Sequence, residues 1–432
     1  MLKRRSALLV LSSLLPTLAT VGCSDPESKA RGAINVDWHR RDLVDGLLAP
    51  WLAHAARPNG AFQPQLDHAW RPTAEAELGL THHARLVFSM AVGHEVTLEP
   101  RFLDAARRGA DFLLDSFADT QYGGFFHSVT VEGQPKAGIK RAYDHACALL
   151  ALAEVARISG QARYREAALQ AWQQIDTRFR DPAGGLYNEC GRDWQPMPGA
   201  RTQNPVMHMF EAVLALHAAT GAAEAQAGAR RLGDFVCYRL LQGMPENQGG
   251  GARVPEWFDD AWKPLPTKAA GGYIDLGHQF EWSHLLSQGA ALSPLYGQVA
   301  ERVLTYALAE GYDEVDGGCH RRAFPDAGQK PELDKGWWQQ AECLHALLVA
   351  AHGSGRNDLW RRYEQTLDLI RNELVDGDTA GWRAADALPC RSGSCQDRQP
   401  EPYHMAQLHR SALRLAGALP AARAASAASA TT

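Results

Sequence analysis

Six helix starts recur along this chain at nearly equal intervals, and that spacing restricts the fold more than any other feature. His82, His145, His208, His278, Gln339 and His404 lie 63, 63, 70, 61 and 65 residues apart. Three residues after each stand Arg85, Ala148, Glu211, Glu281, Glu342 and Gln407, and beyond them the sequence turns apolar. Glycine turns punctuate the same rhythm at Gly123-Gly124, Gly184-Gly185, Gly250-Gly251, Gly317-Gly318 and Gly381. A repeat of this length is a supersecondary unit that buries its apolar face against its neighbours. A two-helix unit of roughly 65 residues, repeated six times, predicts an all-α fold that closes most simply into an (α/α)6 barrel. An open solenoid of helix pairs is the alternative.

Between the repeats the pattern is helical almost throughout. Twelve segments place apolar residues at i, i+3, i+4 and i+7, beginning near Val36, Leu80, Pro100, Tyr143, Ala162, Pro205, Ala222, His278, Pro294, Trp337, Asn357 and Tyr403. Strand signals are confined to short pieces such as Phe125 to Val131. At 432 residues and 45% hydrophobic, the chain can fill one large core, assigned to residues 34–419. Its net charge of −5 provides no basic face for nucleic acid.

Residues 1–22 read as an export signal: a basic Lys3-Arg4-Arg5, an apolar run from Ala7 to Ala19, and Gly22 before Cys23. Thr20-Val-Gly-Cys23 resembles a bacterial lipobox, so the expectation is a periplasmic protein with possible membrane anchoring through a lipidated Cys23. Residues 23–33 read as a linker, and the Ala/Ser/Thr tail at 420–432 as disordered. In an exported chain Cys390 and Cys395, five residues apart ahead of His404, are the best candidates for a disulfide.

The repeat position carries the chemistry. A lone histidine on an apolar helix is ordinarily a satisfied core residue, but a core has no reason to bury five imidazoles at one level. His54, His94, His127, His217, His284, His345 and His352 lack the register and read as structural or surface groups. Within Asp275 to Leu286, His278 and Glu281 share a helix face, and a carboxylate there can fix the tautomer of an imidazole acting as a general base. The His-x-x-Glu pairs at 208/211 and 278/281 could instead bind metal, and Glu211, Glu281 and Glu342 could supply a glycosidase's carboxylate pair. The accompanying Arg85, Asn204 and Trp338 suit an organic ligand better than a metal, so no metal is expected. Tyr143, Trp337, Trp338 and Tyr403 border the same helix starts and suit the C–H face of a sugar.

At these residues the chain resembles the N-acylglucosamine 2-epimerase superfamily, which includes cellobiose 2-epimerases and D-mannose isomerases. The matching stretches are Ala84 to Phe88, Tyr143-Asp-His-Ala146, Asn204 to His208 with Glu211, Gly277 to Glu281, Trp337 to Glu342, and Tyr403-His404. The resemblance implies cofactor-independent proton transfer at C2 of a sugar. His278 and His404 would be the two acid/base histidines, with Glu281 supporting His278. Arg85, Asn204 and His208 would bind the sugar, Trp338 would wall the pocket, and Tyr143, His145 and Glu211 would complete it. Lys268 would match a basic residue found in some isomerases. The stretch Tyr403 to Gln407 is closer to the mannose-isomerase pattern, so mannose–fructose isomerisation is the expected reaction. A 2-epimerase on a mono- or disaccharide is the runner-up, and an (α/α)6 glycosidase the third reading.

Overall fold

The computed structural model describes residues 33–243, 250–324, 331–377, 381–388 and 395–420. The leader with Cys23, the tail from 421, and Cys390 lie outside these residues; Cys395 is disulfide-bonded.

Twelve helices form among the described residues, close to where the periodicity puts them. The first, α1, runs without interruption through Val36–Arg41, Asp42–Leu48 and Ala49–Ala55. The others are α2 (Leu80–Thr97), α3 (Pro100–Phe112), α4 (Ala142–Ser159), α5 (Ala162–Arg178), α6 (Asn204–Thr220), α7 (Ala223–Phe235), α8 (Leu276–Gln288), α9 (Pro294–Gly311), α10 (Trp337–Ser354), α11 (Asn357–Leu369) and α12 (Tyr403–Leu415). The even-numbered helices from α2 to α10 are buried on nearly every side, whereas α12 keeps an outer face with Arg410 and Arg414. In α4, Ala142 and every residue from Asp144 to Ala156 are buried, as expected of a helix wrapped by others. The odd-numbered helices are amphipathic, as α3 and α11 show with one buried stripe and a charged outer face.

Each even-numbered helix packs on the next, and α12 packs back on α2, so the six form a closed ring. The odd-numbered helices α3, α5, α7, α9 and α11 lie outside their partners. The sixth pair joins the two ends of the chain, because α1 packs against α12 and α2. Polar contacts clamp that seam. Arg40 donates to the Val96 and Ala418 carbonyls at 2.8 and 2.6 Å. Buried Asp42 accepts from Trp382 Nε1 at 2.9 Å and lies 2.9 Å from His409 Nε2.

Short antiparallel ladders hold the inner helix starts at one level. The strand expected near Phe125 to Val131 forms over Ser128–Thr130, pairing with Glu77–Gly79 just before α2 and with Pro135–Ala137. Lys140–Arg141 before α4 pairs with Glu189–Cys190, Arg201–Thr202 before α6 with Trp257–Phe258, and Ile274–Asp275 before α8 with Arg322–Ala323. Each ladder therefore ties a helix start to the loop of the following unit. Buried ion pairs add a second tie: Lys140 to Asp119 at 3.1 Å, Arg201 to Asp181 at 2.7 Å and Lys335 to Asp313 at 2.7 Å.

The glycine turns have a steric reason. Gly124 and Gly318 hold φ of 68° and 76°, where a side chain is strained. A Cβ on Gly124 would run into Trp194 and His145, and one on Gly318 into Gln340. His145 and Gln340 are the groups that fasten these turns. His145 Nε2 accepts from Phe125 N at 3.0 Å, and Gln340 Oε1 accepts from Cys319 N at 2.8 Å. Gln279 does the same for Val254 N at 2.9 Å.

Candidate active site

The starts of the inner helices enclose a cavity of about 260 Å³ lined by Arg85, Tyr143, Asn204, His208, His278, Trp337, Trp338 and His404. Seven of these eight residues were site candidates from sequence; Trp337 was noted only as a bordering ring. Trp338 lies between the two principal histidines, its ring 5.1 Å from His278 and 5.4 Å from His404. Asn204 Oδ1 is buried without a hydrogen-bond partner, an acceptor left for a ligand hydroxyl. Arg85 is held by Glu401 and by the Tyr143 hydroxyl, and its guanidinium stacks 4.3 Å over the Tyr403 ring.

A family model described as N-acylglucosamine 2-epimerase matches residues 60–407. The chain belongs to that family. It is 23% identical over 363 residues to the cellobiose 2-epimerase of Ruminococcus albus, covering 79% of this chain and 88% of the relative. It is 27% identical over 340 residues to the D-mannose isomerase of Thermobifida fusca, covering 73% and 80%. A solved D-mannose isomerase structure superposes with a TM-score of 0.78 at 20% identity, covering 89% of this chain and 98% of that one. The chain is thus an enzyme of the sugar 2-epimerase and isomerase class.

The support of the two histidines in this N-acylglucosamine 2-epimerase relative differs from the sequence reading. Glu281 makes no hydrogen bond to His278. The carboxylate on His278 Nδ1 is Glu256, at 2.7 Å, from the loop before α8. Gln203 Nε2 donates to the same Glu256 oxygen at 2.8 Å, and Trp282 Nε1 donates to Gln203 at 2.6 Å, so the carboxylate is itself fixed. Asp275 caps α8 by accepting from His278 N at 3.3 Å. His404 Nδ1 lies 2.6 Å from Glu342 Oε1, one turn inside α10.

These surroundings drive the two imidazoles apart. Burial disfavours charge on His278, but Glu256 and Asp275 outweigh it and push the pKa up to about 10, so the ring is an imidazolium at neutral pH. Burial lowers His404 well below its ordinary value, and the Arg85 charge lowers it further, so it is a neutral imidazole. Glu342 is pushed well above the carboxylate range by burial and by Glu211, which favours its protonated form beside His404.

Glu281 sits beneath His208, its Oε1 3.8 Å from Nε2, with both oxygens unbonded. Burial and the nearby Glu342 raise it to about 7. Glu211 is bonded by His208 at 3.3 Å, by Gln407 at 2.6 Å and by the Tyr403 hydroxyl, so it orients His208 and does not line the cavity. Donor atoms of His208, Glu211 and Glu281 lie within 4.8 Å of one another, as do those of Glu281, Glu342 and His404. Most of these donors are already engaged within the protein, in hydrogen bonds that serve an imidazole better than a metal.

Two further expectations need correction. His145 is buried away from the cavity, with Nδ1 donating to Arg141 O at 2.8 Å and Nε2 occupied by Phe125 N. It matches Gln279 and Gln340 in role and in position, three residues after its helix start. The residue of this unit in register with His278 is therefore Asp144, which accepts from Thr81 at 2.6 Å and pairs with His127 at 2.6 Å. Lys268 lies at the surface, 3.5 Å from Glu332, and does not line the cavity.

Sequence reasoning missed Glu256 and Glu401. Both lie in loops, where no periodicity marks a functional position. Glu401 could have been found as the acidic residue three before His404; nothing in the sequence singles out Glu256.

Proposed function

We propose that the closed helix ring is the (α/α)6 barrel predicted from the repeat, and that it works as a cofactor-independent sugar isomerase at C1 and C2. The observation that carries this reading is the pair of imidazoles held in opposite protonation states on either side of Trp338. Two titratable groups forced apart in pKa are a base and an acid ready for use together.

The reaction follows from their states. An open-chain aldose binds with C2 toward His404 and the C1 carbonyl toward His278. Neutral His404 removes the C2 proton, made acidic by the carbonyl. Cationic His278 donates to the carbonyl oxygen, and Arg85 steadies the cis-enediolate as its charge develops. Return of the proton from His404 to C1, with the C2 hydroxyl proton passing to the now neutral His278, gives the ketose and restores both rings. Asn204 and His208 hold hydroxyls, and Trp338 covers the C–H face of the chain.

Mannose to fructose is the proposed reaction, supported by the Tyr403 to Gln407 stretch and by the D-mannose isomerase relatives. Epimerisation of a disaccharide is favoured by one observation. A second cleft of about 350 Å³, lined in part by Asn188, Arg201 and Trp257, shares Tyr143 and Asn204 with the first. A glycosidase is disfavoured because Glu342 and Glu211 are each bonded to an imidazole and Glu281 does not line the cavity. Export through the leader, with Cys23 as a lipidation site, belongs to the same proposal.

Incubation with mannose, glucose, fructose and cellobiose, followed by chromatography of the products, tests the function. Mannose–fructose interconversion is expected. Conversion of cellobiose to its C2 epimer, with mannose untouched, would transfer the proposal to the second reading. Activity should be unchanged after exhaustive chelation; loss restored by one divalent ion would give the His208, Glu211 and Glu281 donors to a metal.

A further inference from the structure

Two clefts adjoin the sugar cavity in turn, and the reaction described above needs neither. The cavity shares Tyr143 and Asn204 with the cleft of about 350 Å³. That cleft shares Trp257 with another of about 380 Å³, lined also by Lys268, Tyr273, Arg322, Phe324 and Glu332. An aromatic ring therefore stands at each junction, Tyr143 at the first and Trp257 at the second. Both outer clefts are larger than the 260 Å³ cavity that receives the reacting sugar.

The backbone gives Trp257 this place. Trp257 and Phe258 pair with Thr202 and Arg201, and successive side chains of a strand point to opposite faces. Glu256 is buried against His278, and Trp257, one residue on, is left half-buried between the two clefts. Its indole N–H donates to the Tyr273 hydroxyl at 3.3 Å, which fixes the ring. The half-buried Phe324 carries the Lys268 ammonium 4.2 Å from its ring centre.

The charges along these clefts are matched. Arg141 pairs with Glu189 at 2.9 Å and Arg201 with Asp181 at 2.7 Å, while Lys268 and Arg322 share Glu332 at 3.5 and 3.6 Å. Rings set among paired donors and acceptors suit a neutral ligand with hydroxyls and C–H faces, and not an anion. We propose that the two clefts are subsites for further hexose units. The sugar reacting at His278 and His404 is then the reducing end of a neutral oligosaccharide of about three units. The proposal rests on the isomerase reading for its reacting end. The second unit passes Tyr143 and lies against Arg141 and Asn188, and the third lies beyond Trp257 against Phe324.

Binding and turnover are measured separately. Mannose and its reducing di- and trisaccharides, reduced at C1 with borohydride, cannot react, and calorimetry gives their affinities. Each added unit should tighten binding by about 3–10-fold, the contribution of one aromatic partner. The unreduced sugars should show the same increments in kcat/KM. Cellobiose and cellotriose, treated alike, tell which hexose the clefts take, and a gain with length in either series supports the subsites. Phe324→Ala should abolish the gain from the third unit, and Trp257→Ala should diminish the gains from the second and third. Each gain is a ratio between substrates on one variant, so damage that lowers all substrates alike does not alter it.

Reduced trisaccharides that bind no more tightly than the reduced monosaccharides, in both series, would overturn the subsites and leave the isomerase reading intact. So would gains with length that survive both Phe324→Ala and Trp257→Ala. If Trp257→Ala does not fold, Phe324→Ala decides the matter alone. Binding that tightens with length, with no conversion of any unreduced sugar, would instead overturn the isomerase reading and leave the subsites standing.

Discussion

His278 and His404 stand on either side of one indole, yet their supports come from opposite directions. His278 is held from outside the ring, by Glu256 on a loop, with Gln203 and Trp282 behind that carboxylate. His404 is held from inside, by the fully buried Glu342 on a neighbouring helix. A carboxylate with hydrogen-bond donors around it keeps its charge and stabilises an imidazolium. A carboxyl buried among other acids keeps its proton and stabilises a neutral ring. The same residue type thus becomes an acid in one place and a base in the other, according to what lies behind it.

The largest effect should come from removing either ring. His404→Ala and His278→Ala should both fold and lose about 10²–10⁴-fold or more in kcat/KM, the usual contribution of a general acid or base. The two should differ in deuterium oxide. His278→Ala retains the base and should still exchange the C2 hydrogen slowly with solvent, whereas His404→Ala should not. Equal exchange by both variants would erase the assignment of acid and base.

Glu256→Gln is a sharper and smaller perturbation. Loss of the carboxylate should let His278 fall from about 10 toward its ordinary range. An acid must be protonated to work, so wild-type activity should hold through neutral pH and fall only as pH rises through about 10. In the variant that alkaline limb should move down by several pH units, while the acid limb set by His404 stays in place. Stability follows the same sign. A folded pKa above the unfolded value of about 6.5 stabilises below that pH and is lost as pH rises through the folded pKa. The stability gap between wild type and Glu256→Gln should therefore narrow in alkali. An alkaline limb that does not move would return the support of His278 to another group.

What the sequence disclosed and what it hid divide along the same line. The helices, their order and the cavity-lining side chains were legible because they belong to a repeat, and a repeat multiplies a weak signal. His208, His278 and His404, three of the six recurring positions, came together with Arg85, Asn204, Tyr143 and Trp338, whereas His82, His145 and Gln339 do not line the cavity. Glu256 was hidden because loops carry no period, and the i+3 rule assigned its task to Glu281. The rule held at Glu211, which does bond His208. His145 was misassigned by one residue. Interval counting tolerates such a slip, but a helix does not, since one residue turns the side chain by about 100°.

That slip can be tested by the mildest of these substitutions. If His145 is a fastener like Gln279 and Gln340, glutamine should replace it well, because its side-chain oxygen can accept from Phe125 N as the imidazole does. His145→Gln should keep its KM for the sugar and stay within about 1 kcal/mol of wild-type stability, the net contribution of a typical hydrogen bond. His145→Ala leaves the buried Phe125 N–H without a partner and should cost about 1–3 kcal/mol, read by denaturant unfolding, again with little change in KM. Both outcomes follow from a ring that faces the Gly124 turn and not the cavity. A His145→Gln enzyme that unfolds like wild type but binds the sugar many-fold more weakly would place the ring at the substrate after all. The register inferred from Asp144 would then be the error.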